Sequence, residues 1–198
     1  MRLYVVRHGQ TWANMEYRYL GSMDPPLTDL GRAQAAQLSE NLPPGVDTLV
    51  CSPLLRARET ACILGHQLGL APLILDAFRE RDVGVFEGLT QAEAKVRHPE
   101  LWAQNITRRW ALGPPGGESI AAVVERVRGG LQALASSASE RTVVLVAHGF
   151  VAKTIRGLVS NDFADFYDWQ LGNGEVLFLP EVTAGLLRPV AASYPPEE

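Results

Sequence analysis

The chain has 198 residues, 46% hydrophobic and 20% charged, with 18 Lys and Arg against 22 Asp and Glu for a net charge of −4. That length suits one domain over residues 1–198, and no apolar run approaches the ~20 residues of a membrane helix. No block of like charge offers a general nucleic-acid surface, so neither nucleic acid nor membrane is an expected partner. The first residues lack a charged and then apolar leader, which makes the cytoplasm the expected location. Cys51 and Cys62 sit in no CxxC or Cys/His pattern and are expected to be buried free thiols. Only Lys95 and Lys153 are lysines; the remaining positive charge lies on arginine, whose planar fork binds phosphate or carboxylate through two parallel hydrogen bonds.

In chain order, LYVVRHGQT at 3–11 reads as a strand running into an arginine, a histidine and a glycine. Thr28 is placed to cap a helix through RAQAAQLSENL, which Pro43, Pro44 and Gly45 end. DTLVCS at 47–52 is a second strand, Pro53 opens a helix closed by Gly69, and PLILD is a short third strand. From Phe78 to Gly117 the pattern loosens into loops and short helices, an insertion or lid at about 85–117. Ser119 then precedes a helix with Ile120, Val123, Val124, Val127 and Leu131 on one face, VVLVA follows as a strand, and GFVAKTIRGLV as a helix. Residues 175–179 make a last strand, and a flexible tail is expected at about 190–198. Strands alternating with helices predict an α/β fold, a three-layer sandwich with a mostly parallel central sheet flanked by helices.

Two apolar strands end in the same pair, His8-Gly9 and His148-Gly149. Ligands of open α/β sheets bind beyond the carboxyl ends of the strands, so two such endings could meet in one crevice. Glycine there lets backbone N–H groups approach an anion closely.

The motif Arg7-His8-Gly9-Gln10-Thr11 resembles the Arg-His-Gly-Glu-Thr of the histidine phosphatase superfamily, in its phosphoglycerate mutase-like branch. The likeness continues through Asn14, PLTDLGRAQA at 26–35, SPLLRARETA at 52–61, RERDVGVFEGL at 79–89, PPGGES at 114–119 and VLVAHG. It implies a phosphoglycerate mutase-like fold and a two-step phosphoryl transfer, with neither metal nor cofactor, in which His8 forms a phosphohistidine that water hydrolyses. By the same resemblance Arg7 and Arg56 clamp the phosphoryl oxygens, His148 donates a further hydrogen bond, and Asn14, Gln10 and Gly149 help bind the group. Glu80 falls at the acid's position, with Asp82 as runner-up, while Arg58 is off the matched position. Arg108 and Arg109 stand about where mutases grip the substrate carboxylate, or else are surface residues. Leu20 replaces the Ser or Thr usual in mutases, and the insertion is short; both favour hydrolysis. The expectation is a phosphatase acting on a small phosphorylated metabolite, with a mutase or a silent phosphate-binding scaffold as alternatives and a homodimer as the default assembly.

Overall fold

A computed structural model describes residues 1–138 and 140–190. The expected tail, beyond residue 190, lies outside them. Strand β1 (Arg2–Arg7) leads through a four-residue helix α1 (Trp12–Met15) to α2 (Asp29–Gln37). Next come β2 (Thr48–Cys51), α3 (Leu55–Leu68), β3 (Leu73–Ile74) and the short helices α4 (Gln91–Arg97) and α5 (Pro99–Ala103). The long helix α6 (Ile120–Ser137), β4 (Thr142–Ala147), α7 (Gly149–Ser160) and β5 (Val176–Leu179) complete the order. The five strands form one sheet in the order β3-β2-β4-β1-β5, parallel except for β5, which runs antiparallel along β1.

Burial on both faces explains the continuous apolar runs. Every residue of β4 is buried. Val143, Leu145 and Ala147 pack in one core with Leu3 and Val5 of β1 and with Val123, Val127, Leu131, Val151 and Ile155 of α6 and α7. Val144 and Val146 turn the other way and join Val6, Leu49, Cys51, Ala57, Ala61 and Leu64 under α3. Side chains alternate across a strand, so one run of six residues serves two cores and holds three layers together. Removing a buried Leu or Val side chain from such a core typically costs ~2–5 kcal/mol.

Local signals set the helix ends as expected. Thr28 and Ser119 accept from the backbone N–H of Gly31 and Ala122, and Gly69 closes α3 at a φ of 68°, in the left-handed region where glycine pays no Cβ penalty. Two features escaped the sequence reading. Helix α1 is too short to show a period, although its Thr11/Asn14 capping box is complete. Cys62 is exposed while Cys51 is buried, which corrects the expectation of two buried thiols: α3 sets Ala57, Ala61 and Leu64 toward the core, and Cys62 falls on its outer side. Burial pushes the Cys51 thiol up to about 11.

The turn after β1 is held by close backbone contact with α2. A Cβ on Gly31 would fall 2.1 Å from the Gln10 carbonyl oxygen, and one on Gly9 2.1 Å from that of Gly31. Glycine to alanine within a helix ordinarily stabilises by up to ~1 kcal/mol. Here Gly31→Ala is expected to lower the urea midpoint instead, because the backbone that it meets cannot swing aside; a raised midpoint would refute this account of the turn.

Candidate active site

Strands β1 and β4 are neighbours in register, with Arg7 opposite Ala147. The residues that follow, His8 and His148, therefore emerge side by side, with ring centroids 5.1 Å apart. The His8 backbone N–H donates to the Ala147 carbonyl at 3.0 Å, which extends the pairing one step beyond the strand. His8 is only 2% exposed. Its Nδ1 lies 2.7 Å from the Gly9 carbonyl oxygen, which can only accept, so the ring proton sits on Nδ1 and Nε2 carries the lone pair. The Nε of Arg56 donates to that lone pair at 3.2 Å.

Arg56, from the first turn of α3, is fully enclosed. Its Nη1 and Nη2 donate to the carbonyl oxygens of Met23 and Gly21 at 2.8 and 2.9 Å, which fix the guanidinium plane. Arg7 donates from Nη1 to the Leu171 carbonyl at 2.6 Å. The buried Nε of Arg7 and Nδ1 of His148 have no hydrogen-bond partner among the described residues. Buried polar atoms are nearly always paired, so two orphans beside His8 mark a place built for a polar ligand. The Ser52 hydroxyl accepts from the Leu54 N–H at 3.3 Å and lies 2.7 Å from His148 Nε2. The hydroxyl can donate to Nε2, an arrangement that puts the ring proton of His148 on Nδ1, the orphaned atom.

Glu80 is 9% exposed and its two oxygens accept from the backbone N–H groups of Arg81 (2.9 Å) and of Phe150 at the start of α7 (3.1 Å). Asn14 accepts from the backbone N–H and the hydroxyl of Thr11, both at 3.0 Å, and from Asn173, which also donates to the His8 carbonyl. Arg7, Asn14, Glu80 and Gly149 line a cleft of about 700 Å³, with Lys153 and Gln170 beyond them. His8, Arg56 and His148 are buried and are not among the residues that line this cleft, nor do they line a neighbouring depression of about 410 Å³ between Tyr19, Trp102 and Arg108.

Other expected residues sit apart. Gln10 does not line the cleft; its side-chain oxygen accepts from the Thr28 hydroxyl at 3.1 Å and its N–H donates to Gln34, tying the turn to α2. Arg108 stands at the cleft edge with its guanidinium 5.2 Å above the Tyr167 ring. Arg109 donates to the Gln104 carbonyl at 3.2 Å and is not among the lining residues. Arg58 is exposed, and Asp82 accepts from the N–H of Gly84. Sequence reasoning missed Ser52, Arg81, Lys153 and Asn173. Only the first two adjoin a matched motif residue closely enough to have been suspected.

Burial, then the Arg56 and Arg7 guanidiniums, hold His8 well below its ordinary 6.5. Burial, followed by Arg56, His8, Arg7 and Arg126, does the same to His148. Glu80 goes the other way: burial raises it, against the opposing pull of the Arg81 N–H, Arg56, the Phe150 N–H and Arg7. The result at neutral pH is a neutral imidazole with an available lone pair beside a carboxyl that resists ionisation.

The sequence matches the histidine phosphatase superfamily (branch 1) over residues 3–181, and the chain belongs to that family. It is 39% identical over 153 residues to the bifunctional protein Rv2228c of Mycobacterium tuberculosis, covering 74% of this chain and 41% of that protein. Against the glucosyl-3-phosphoglycerate phosphatase of the same organism it is 39% identical over 160 residues, 75% of this chain and 70% of that protein. A solved structure of mycobacterial glucosyl-3-phosphoglycerate phosphatase in complex with VO3 superposes with a TM-score of 0.78 at 32% identity, covering 92% of this chain and 98% of that one. No helix of the described residues is long and apolar enough to cross a membrane, and no group of three or more His, Cys, Asp or Glu among them could hold a metal ion.

The depressed histidines predict an acid-sensitive fold. Below 6.5 the unfolded chain takes up protons that the folded His8 and His148 refuse, so stability should fall as pH drops from about 6.5 toward 5. Glu80 acts with opposite sign, subtracting stability as pH rises above 4.5, where the unfolded carboxyl ionises first. Urea midpoints measured across that range should lose most of their acid slope in the His8→Gln/His148→Gln double variant; an unchanged slope would place its origin elsewhere.

Proposed function

We propose that the protein is a phosphomonoester phosphatase acting on a small phosphorylated metabolite through a phosphohistidine at His8. The observation that carries this reading is the state of His8: neutral, Nδ1 anchored on the Gly9 carbonyl, and Nε2 presented to Arg56. In the first step the Nε2 lone pair attacks phosphorus, the ester P–O bond breaks, and the departing oxygen takes the proton of Glu80. In the second, Glu80 removes a proton from water, the water oxygen attacks phosphorus, and the P–N bond breaks to return the electron pair to Nε2 and release inorganic phosphate. Arg7 and Arg56 meet the charge on the equatorial oxygens, joined by the Nδ1–H of His148, whose ring Ser52 orients. Asn14 and Asn173 fix the loop that carries His8.

Two guanidiniums and a neutral nucleophile meet the charge demands of this transfer, so the reading includes no metal ion. Water rather than a returning acid is the second acceptor: Leu20 lines the cleft where mutases carry a hydroxyl residue, and Arg109 is engaged by Gln104 instead of facing the cleft. The names of the relatives, phosphatases of glucosyl-3-phosphoglycerate and, at 31% identity, of phosphoserine, support the reaction class.

Incubation with a phosphorus-labelled aryl phosphate and rapid acid-free quenching should trap label on the protein, alkali-stable and acid-labile, and His8→Ala should abolish both label and turnover; label that survives the substitution ends the proposal. Chelator should leave turnover unchanged. Glu80→Gln should slow esters of poorly leaving alcohols by roughly 10²–10⁴-fold and aryl phosphates far less. Equal losses on both would remove Glu80 from proton donation.

A further inference from the structure

Glu80 belongs to a stretch without regular structure: residues 79–83 lie in neither helix nor strand. One of the two donors to its carboxyl, the Arg81 N–H, sits on that same stretch; the other, the Phe150 N–H, ties it to α7. A side chain held in this way is placed no better than the backbone that carries it. A general acid must lie within hydrogen-bond reach of the oxygen it protonates, and a tolerance of about 0.5 Å is typical of such constellations.

Against that stretch lies an ion pair for which the two chemical steps have no use. Arg126 of α6 donates through Nε and Nη2 to the two carboxylate oxygens of Glu118, at 3.1 and 2.8 Å, the paired geometry that a planar guanidinium provides. Its Nη1 donates to the carbonyl oxygens of Ala77 and Arg79, at 3.0 and 2.8 Å. The Glu118 carboxylate also accepts from the Asp82 N–H at 3.0 Å. The Glu118 backbone adds its N–H to the Asp82 carbonyl at 2.9 Å and its carbonyl to Nε of Arg81 at 3.0 Å. The chain is therefore gripped on both sides of Glu80.

The two side chains are 17% and 22% exposed, and neither lines the cleft. Helix α6 itself is fixed, since Val123, Val124 and Val127 pack in the core that contains Leu3 and Val5 of β1. The grip thus refers the backbone around Glu80 to the same strand that delivers His8.

We propose that Arg126 and Glu118 are positioning residues that act on the reaction through Glu80, holding its backbone where the carboxyl can protonate the leaving oxygen. The proposal rests on the phosphatase reading, with Glu80 as its acid, and deepens it by naming what places that acid.

The test is leaving-group dependence, because nitrophenolate departs without a proton and an alkoxide does not. The quantity is kcat/KM for 4-nitrophenyl phosphate and for glycerol 3-phosphate, in wild type, Arg126→Lys, Glu118→Gln, Glu80→Gln and the Glu80→Gln/Arg126→Lys double variant. Lysine keeps the charge that helps to depress His148 but has no planar fork to span two carbonyls and a carboxylate. Arg126→Lys and Glu118→Gln should each lower the ratio of glycerol 3-phosphate to aryl phosphate roughly 10- to 100-fold, on the order of the cost of displacing a reacting group by about 1 Å. Both esters are assayed on one preparation, so any loss of folded protein cancels in the ratio, and if one variant yields no protein the other carries the same test. In the Glu80→Gln background Arg126→Lys should change the ratio no further, since two changes acting through one group do not add.

An unchanged ratio in Arg126→Lys and Glu118→Gln, or a full further loss in the double variant, overturns the proposal and leaves the pair a support of the fold alone. Equal slowing of both esters by Glu80→Gln overturns it together with the acid role. Label trapped at His8 from the aryl phosphate reads the phosphatase chemistry separately: with that label intact, a flat leaving-group profile sinks the positioning role and not the phosphohistidine.

Discussion

The parallel pairing of β1 with β4, in register from Arg2 and Thr142 to Arg7 and Ala147, is the constraint on which the site depends. With six residues paired on each strand, all of β4 buried and Leu3, Val5 and Val6 of β1 buried with it, there is no slack for slippage, because a shift of one residue would turn inward side chains to the opposite core. Both strands end at the same level, so two segments separated by more than a hundred residues deliver His8 and His148 to one point. The fold is thus more than a scaffold under the site: the register itself sets the distance between the imidazoles.

Around that point the chain solves a difficult electrostatic problem. Arg56 is an enclosed cation whose ion-pair contact, with the partly exposed Asp24, is 3.7 Å long, and Glu80 and Glu87 add to the negative charge that it meets. What holds it is a set of oriented dipoles, the carbonyls of Gly21 and Met23, together with the His8 lone pair. Carbonyls fix the guanidinium without neutralising it, so the charge stays available to an anion, and Glu80 is likewise held by backbone N–H groups. Burial, and then the same charge, hold His8 below its ordinary pKa. One arrangement therefore preserves both the electrophile's clamp and the nucleophile's lone pair.

The segment between β3 and α6 has a small core of its own. Phe86, Leu89, Ala94 and Ile106 pack with Tyr19, Leu101 and Trp102 partly covering them, and the turn at Gly84 is locked against Pro115, where a Cβ would come within 2.2 Å of the carbonyl oxygen. A segment anchored in this way can present Thr107 and Arg108 at a fixed edge of the cleft. Tyr17, by contrast, is 87% exposed and held at a φ of 54° at the cleft mouth, an uncommon conformation for a tyrosine and one that places its ring outside the core.

Periodicity and capping residues were enough to read most of the elements, since Val/Leu runs, Thr28, Ser119 and Gly69 act on their immediate neighbours. His8 and His148 could be picked out because each follows the end of an apolar strand, whereas Arg56 and Glu80 were legible only through the resemblance of the motifs that hold them. What no local rule contains is direction. Gln10 turns to Thr28, Arg109 to Gln104, and Cys62 away from the core, while Asn173 reaches back to His8 across more than 160 residues. Lys153 reads in the sequence as one polar residue on an amphipathic helix. The amino-acid order alone determined which strands would be buried and which groups could react; packing decided which of those groups share a pocket, because the charge a side chain meets depends on neighbours that only the folded layers bring close.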